Sequence, residues 1–267
     1  MPDLLDQMLD ASIAASAAIM RIYGSDFAAV HKSDGSPVTE ADHAAEEIIL
    51  EHLKATGIPV LAEESVAAGR IPELARRFFV VDPLDGTKEF LKRNGEFTVN
   101  IALVEDGRAT HGVVLAPATG LVFWGGPDGA HAGRIVDGRL VERHDIAVRQ
   151  GHPIRIVASR SHGHDALTAL CRTFDVDEDV SVGSSLKFCL LAKGEAQLYP
   201  RFTPTSEWDT AAGQAVLEAA GGAVVAIDGT PLRYGNADRH FLNPYFSAAA
   251  SLPLAEAAAA EMRRLLA

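Results

Sequence analysis

Residues 81 to 90 read Val-Asp-Pro-Leu-Asp-Gly-Thr-Lys-Glu-Phe, following the apolar run Phe78 to Val81. Asp82 and Asp85 stand three apart, across a proline and beside Gly86, and the pattern reads as a strand ending in a metal-binding turn. Proline fixes its own φ and pushes its predecessor towards extended geometry. Glycine permits the sharp reversal that lets two carboxylates and a turn carbonyl face one point. Hard oxygen donors converging in this way suit Mg2+. An Asp-x-x-Asp-Gly sequence is also an ordinary surface turn, so the metal reading needs support from elsewhere in the chain.

Two further segments supply it. Glu63 and Glu64 follow the apolar run Ile58 to Ala62, and Trp208-Asp209-Thr210-Ala211-Ala212 opens a periodic stretch that closes on Gly221-Gly222. With these three motifs in this order, the chain resembles the inositol monophosphatase superfamily of Mg2+-dependent, lithium-sensitive phosphatases. It departs from the pattern by one extra alanine in Glu218-Ala219-Ala220-Gly221-Gly222. The stretches Gly86 to Ala102 and Gly183 to Cys189 look like the bacterial 3′(2′),5′-bisphosphate nucleotidase branch. The resemblance covers nearly the whole chain and implies a layered αβαβα sandwich of the inositol monophosphatase and fructose-1,6-bisphosphatase type.

The resemblance also implies roles. Glu63, Asp82 and the carbonyl of Leu84 would hold one Mg2+, and Asp82, Asp85 and Asp209 a second, with a third, weaker ion near Glu63. Two ions roughly 4 Å apart activate water on one side and stabilise the leaving oxygen on the other. Glu63 and Thr87 would orient that water, with Asp42 hydrogen-bonded to Thr87. Asp42 has a competing explanation, because Thr39-Glu-Ala-Asp42 has the form of a capping box and its carboxylate can simply satisfy a helix start. Glu64 is either a partner of the ligands or a solvated neighbour.

Substrate contacts follow from softer signals. Gly183-Ser184-Ser185 precedes a helical pattern whose backbone N–H groups offer an anion site, and Lys187 adds a point charge, although it could equally be an exposed helix lysine. The resemblance places Ser184, Lys187 and Arg201 where related enzymes contact the nucleotide's 5′-phosphate, and Ser159-Arg160-Ser161-His162 near the adenine. Gly86, Thr87, Gly183 and Asp209 join the expected substrate contacts. His162 and His164 lack the further ligands a zinc site requires. Inositol monophosphatases carry a glutamate seven residues before the Trp-Asp aspartate, where this chain has Phe202. An aromatic cannot accept hydrogen bonds from inositol hydroxyls, so Phe202 beside Arg201 favours a substrate with a second phosphate and a base.

The elements that must position these residues are legible from periodicity and punctuation. Residues 3–24 and 39–56 read as helices, with a loop over 32–37, and 97–104, 110–116 and 121–124 as an antiparallel meander. Turns and short strands are expected over 125–138. From residue 154 strands and helices alternate: strands at 154–159, 180–182, 196–199 and 223–227, helices at 164–174, 184–192 and 209–220, and an alanine-rich helix at 254–266. The division is an α+β half, residues 1–150, carrying most metal ligands, and an α/β half, residues 151–267, carrying Asp209 and the nucleotide contacts.

The chain has 267 residues, 48% of them hydrophobic and 22% charged, enough to bury a sizeable core. A net charge of −12 argues against binding a nucleic-acid polymer or a basic membrane patch, so an anionic substrate must meet local cations or metal. Cys171 and Cys189 are too few for a disulfide framework and read as buried apolar residues. Asp3, Asp6 and Asp10 disqualify the first segment as a signal peptide, and no apolar run reaches membrane-spanning length. The expectation is a cytoplasmic enzyme, with peripheral attachment to the inner membrane left open, acting as a monomer or homodimer. It would take adenosine 3′,5′-bisphosphate to AMP, and act on its sulfated form, in sulfur assimilation. The alternatives are an inositol-1-phosphate or fructose-1,6-bisphosphate phosphatase, or a non-catalytic nucleotide or Mg2+ sensor.

Overall fold

Helix α1 (Leu4–Tyr23) starts at Asp3, whose side chain accepts from the Leu5 N–H, and buries Met8, Leu9, Ala11, Ala15 and Ile19 along one stripe. In the computed structural model, which describes residues 3–25, 29–31, 37–158 and 165–267, that stripe packs against α2 (Glu40–Leu53). A small antiparallel pair, β1 (Ala29–His31) and β2 (Pro37–Thr39), precedes α2. The first large sheet then forms from β3 (Val60–Ala62), β4 (Arg77–Asp85), β5 (Thr98–Glu105), β6 (Arg108–Ala116), β7 (Leu121–Gly126), β8 (Gly129–Val136) and β9 (Arg139–Ile146), in that order. Only β3 and β4 pair in parallel; the rest is a meander. Short helices α3 (Glu63–Ala67) and α4 (Thr87–Leu91) follow β3 and β4 directly.

The second sheet has the order β11-β10-β12-β14-β13 and uses β10 (Ile154–Ala158), β11 (Val176–Ser181), β12 (Leu198–Arg201), β13 (Ala223–Ala226) and β14 (Phe246–Ala249). Its helices are α5 (Asp165–Thr173), α6 (Leu186–Ala192), α7 (Ala211–Ala219) and α8 (Leu252–Leu266). Burial fixes the layering. On one face of the seven-stranded sheet Phe79, Val81, Val99 and Ile101 pack with Met8, Ile19, Ile49 and Leu53 of α1 and α2. On the other, Phe78, Val80, Val104 and Val114 join Phe188, Leu191, Ala212 and Val216 of α6 and α7, and these reach Tyr199, Val224 and Phe246 of the five-stranded sheet. The far face of that sheet is covered by α5 and α8 through Leu170, Ala255 and Met262. The layers are therefore α, β, α, β, α, as the resemblance implies.

Helix α7 sits unusually low on its sheet. Gly112 of β6 and Gly125 of β7 are paired across the ladder, and α7 crosses both. A Cβ on Gly112 would strike the Ala212 carbonyl, and one on Gly125 would come within 2.8 Å of the Ala219 Cβ. Two missing side chains thus bring the helix that follows Asp209 close to the sheet that carries Asp82 and Asp85.

Several elements differ from the sequence reading. Gly129–Val136 is one continuous strand rather than turns and short strands, and residues 139–146 add an edge strand with no expected counterpart. Its residues are mostly exposed and charged, so no buried face imposes alternation. Phe246–Ala249 is missed for the opposite reason: all four residues are buried, which erases the period. Strand β11 runs over 176–181 rather than 180–182. Helix α6 begins at Leu186 rather than residue 184, because Ser184 has φ of 50°. Asp209 ends a 3-10 turn, Glu207–Asp209, before α7. Cys189 is buried, and burial pushes its thiol well up, whereas Cys171 is only half-buried. No helix among the described residues is long and apolar enough to cross a membrane.

Candidate active site

Strand β4 carries Asp82 to the end of the sheet with the side chain 1% exposed. Its register with β5 breaks between Asp82 and Asp85, where Pro83 cannot donate to the ladder, and the Leu84 N–H turns back to Asp82 Oδ1 at 3.0 Å. Gly86 then takes φ of 98°, with Glu96 O 3.0 Å from where a Cβ would stand. Thr87 opens α4, and its Oγ1 lies 3.1 Å from Asp42 Oδ1 and 3.4 Å from the Leu84 carbonyl.

Asp42 makes both of the contacts considered for it. Its Oδ2 accepts from the Thr39 backbone N–H at 2.8 Å and from Thr39 Oγ1 at 2.7 Å, closing a capping box at the start of α2. Its other oxygen faces Thr87. The cap aims the carboxylate as well as stabilising the helix.

Glu63 is the first residue of α3, and a carboxylate the sequence reading passed over sets it there. Glu46, 3% exposed, accepts from the Glu64 N–H at 2.8 Å and from Ser65 Oγ at 2.7 Å, a negative charge at a helix start. Glu64 is itself buried rather than solvated.

Carboxylate oxygens of Asp82, Asp85 and Asp209 lie within 4.8 Å of one another. Burial first, then the charges of Glu63, Asp85, Asp209 and Asp42, hold the Asp82 carboxyl well above its ordinary 3.8. Burial and Asp85 push Asp209 up to about 6, against the pull of Thr205, the Ser206 N–H and Arg201. A donor set made entirely of oxygens, forced together with mutual repulsion, fits a hard divalent cation. Asp209 repeats the device seen at Asp42: its Oδ2 accepts from Thr205 Oγ1 and, at 3.0 Å, from the Ser206 N–H in a second capping box. Neither Thr205 nor Ser206 is marked by any expected motif.

Asp85 has its own holders, also unforeseen. Ser185 Oγ lies 2.9 Å from Asp85 Oδ2, and Asn100 Nδ2 lies 3.4 Å from the same oxygen. Asn100 was visible as the one polar amide inside an apolar strand, a placement that demands partners.

A cleft of about 370 Å³ opens beside these carboxylates, lined by Asp85, Gly86, Glu96, Gly183, Ser184, Lys187, Tyr199, Arg201 and Asp209 among others. Lys187 is 5% exposed, which excludes the exposed-lysine reading. Its Nζ donates to the Ser184 carbonyl at 2.8 Å and stands 5.6 Å above the Tyr199 ring. Arg201 is fixed by Nε to the Thr203 carbonyl at 3.2 Å and Nη2 to the Pro204 carbonyl at 3.3 Å. The Gly183 N–H, expected to help form an anion site, instead donates to Glu96 Oε2 at 2.9 Å. Phe202 does not face the cleft. Tyr199 and Arg201 share that face of the chain, and Phe202, on the alternate side, packs in the outer cluster with Ile154, Leu198 and Met262, so it carries no argument about substrate. His162 and the segment 159–164 lie outside the described residues.

Comparison with known proteins agrees with this architecture. The model of the inositol monophosphatase family matches residues 3–264. The chain is 46% identical over 247 residues to the 3′(2′),5′-bisphosphate nucleotidase CysQ of Salmonella typhimurium, spanning 91% of this chain and 98% of that protein. The CysQ of Escherichia coli K12 is 44% identical over the same shares. Among solved structures, CysQ from Bacteroides thetaiotaomicron aligns with a TM-score of 0.76 at 36% identity, covering 92% of this chain and 96% of that one. Inositol monophosphatase from Anabaena shares the fold, at a TM-score of 0.76 and 24% identity over 98% of this chain and 95% of its own. From the acidic strand end to the five layers, this chain belongs to the inositol monophosphatase family.

Proposed function

We propose that the chain is a Mg2+-dependent phosphomonoesterase that removes the 3′-phosphate of adenosine 3′,5′-bisphosphate to give AMP and phosphate, in the service of sulfur assimilation. The observation that carries this reading is a single cleft lined both by Asp85 and Asp209 of the acidic group and by Lys187 and Arg201. Such a lining suits a substrate with one phosphate to cut and another to grip. The 46% identity to a CysQ nucleotidase supports the nucleotide over other phosphate esters.

The family is divalent-metal dependent, and the oxygen donors here fit that requirement. Glu63, Asp82 and the Leu84 carbonyl would hold one Mg2+, Asp82, Asp85 and Asp209 a second, and Glu63 would stand near a third. Bound there, Mg2+ lowers the pKa of water and takes up charge on the leaving oxygen. The chain's own contribution is to steer the proton. Thr87 Oγ1, donating to Asp42 Oδ1 at 3.1 Å, keeps its lone pairs for the attacking water and passes the proton on to Asp42. At the other end Lys187 meets the 5′-phosphate as a compact charge, and Arg201 offers the remaining donors of a fork already fixed by two backbone carbonyls. Lithium should inhibit by displacing the ion that Asp85 and Asp209 share.

The test is phosphate release from adenosine 3′,5′-bisphosphate, inositol-1-phosphate and fructose-1,6-bisphosphate, with and without Mg2+. The nucleotide should give the highest kcat/KM, and chelation should abolish release. Equal rates on inositol-1-phosphate would leave a phosphatase without the nucleotide assignment. No release from any of the three would favour a nucleotide or Mg2+ sensor.

A further inference from the structure

The side chain of Ser185 makes contacts that no expected role covers. It is 2% exposed and stands between the acidic group and the turn that leads to Lys187. Its Oγ lies 2.9 Å from Asp85 Oδ2 and 2.7 Å from the Asp209 backbone carbonyl, and accepts from Asn100 Nδ2 at 2.9 Å. One hydroxyl carries one proton, so a single donor serves acceptors from two distant segments of chain while Asn100 fixes its orientation. Ser185 and Asn100 thereby orient the Asp85 carboxylate through Oδ2.

The same residue ends the turn Gly183-Ser184-Ser185. Glu96 holds that turn at the Gly183 N–H, Lys187 holds it at the Ser184 carbonyl, and Ser184 stands at φ of 50°. Ser184 Oγ is buried with no partner among the described residues, although it lines the cleft. An anion seated against Ser184 and Lys187 would fix the turn, and Ser185 moves with it. We propose that Ser185 is a positioning residue that sets Asp85 against Asp209 and couples their affinity for Mg2+ to occupation of the adjoining anion turn. This rests on the phosphatase reading above.

3′-Deoxy-AMP is the probe, since it has the 5′-phosphate but neither a 3′-phosphate nor the leaving 3′-oxygen to touch the metal directly. In calorimetric titrations of the full chain, 3′-deoxy-AMP should tighten Mg2+ binding about fivefold or more. Ser185→Ala should weaken Mg2+ binding about tenfold or more, as loss of a ligand's hydrogen-bonding partner does. It should also cut the effect of 3′-deoxy-AMP to about twofold or less, leaving only the direct field of the phosphate. Its kcat should return towards the native value as Mg2+ is raised, a pattern that a general packing defect would not give. Ser185→Cys keeps the volume with a weaker donor, should fall between the two, and carries the test if the alanine variant does not fold. A native chain that releases no phosphate from adenosine 3′,5′-bisphosphate would defeat the phosphatase reading. A native chain that does so, with Ser185→Ala binding Mg2+ as tightly and with the same dependence on 3′-deoxy-AMP as before, would overturn the inference.

Discussion

At the scale of the residue, the acids of this site are held by hydrogen bonds that the sequence shows only in part. Asp42 caps α2 with one oxygen and faces Thr87 with the other, so two substitutions separate its functions. Thr87→Ala should lower kcat by about 10^2-fold or more with little change in melting temperature, because the proton route is lost while the cap survives. Asp42→Ala should lower both, the cap alone costing about 1 kcal/mol. Unchanged kcat in Thr87→Ala would remove the hydroxyl from the chemistry. Asp85→Asn should cost at least ~10^2-fold in rate at any Mg2+ concentration, through loss of a charged ligand. Near-native rates in that variant would argue against a second ion. The convergence of Asp82, Asp85 and Asp209 was legible because these acids stand in short motifs with proline, glycine and tryptophan beside them. The partner of Glu46 was not, since it acts across the fold; Asn100 signalled that it needed partners without naming them, and Thr205, only four residues before Asp209, carries no distinctive motif.

At the scale of the element, legibility followed length, contrast and punctuation. Helices α1 and α2 read clearly because one side is apolar and the other wetter, and the meander strands, buried almost throughout, read as long apolar runs set off by glycine-bearing turns. Strand β9, exposed, and strand β14, buried throughout, present no contrast to read. Nor did sequence reveal that Gly112 and Gly125 form a seat for α7, because closeness of approach is a property of the partner helix. That seat matters to the site, since α7 follows Asp209 after one residue. Gly112→Ala would press a methyl into the Ala212 backbone, where neither side can swing away. It should destabilise the fold by about 1–3 kcal/mol and shift α7 outwards, weakening Mg2+ binding through Asp209. A variant with a normal melting temperature and normal Mg2+ affinity would show that the layer between the sheets yields more readily than its packing suggests.

At the scale of the whole molecule, folding forces together carboxylates that the unfolded chain keeps apart. Asp82 and Asp85 come from the end of one sheet and Asp209 from the approach to α7, with Glu63 and Asp42 close enough for their charges to act on Asp82. In metal-free protein Asp82 is held well above 3.8, and Asp209 is pushed up to about 6. Both shifts have the same sign. The folded state binds protons more tightly at these groups than the unfolded state, so their contribution to stability is fully present below 3.8; that of Asp209 is lost as pH rises through about 6, and that of Asp82 as pH rises through its own raised value. On the proposed assignment Mg2+ would compete for the same oxygens in their deprotonated form, and would therefore bind better, and stabilise more, on the alkaline side of that window. A free concentration one hundredfold above its Kd adds about 2.7 kcal/mol. Melting temperatures measured with chelator and with Mg2+ should therefore separate more widely at about pH 7.5 than at about pH 5. The gap should shrink in Asp85→Asn. An equal gap at both pH values would mean that Mg2+ binds somewhere other than this cluster of buried carboxylates.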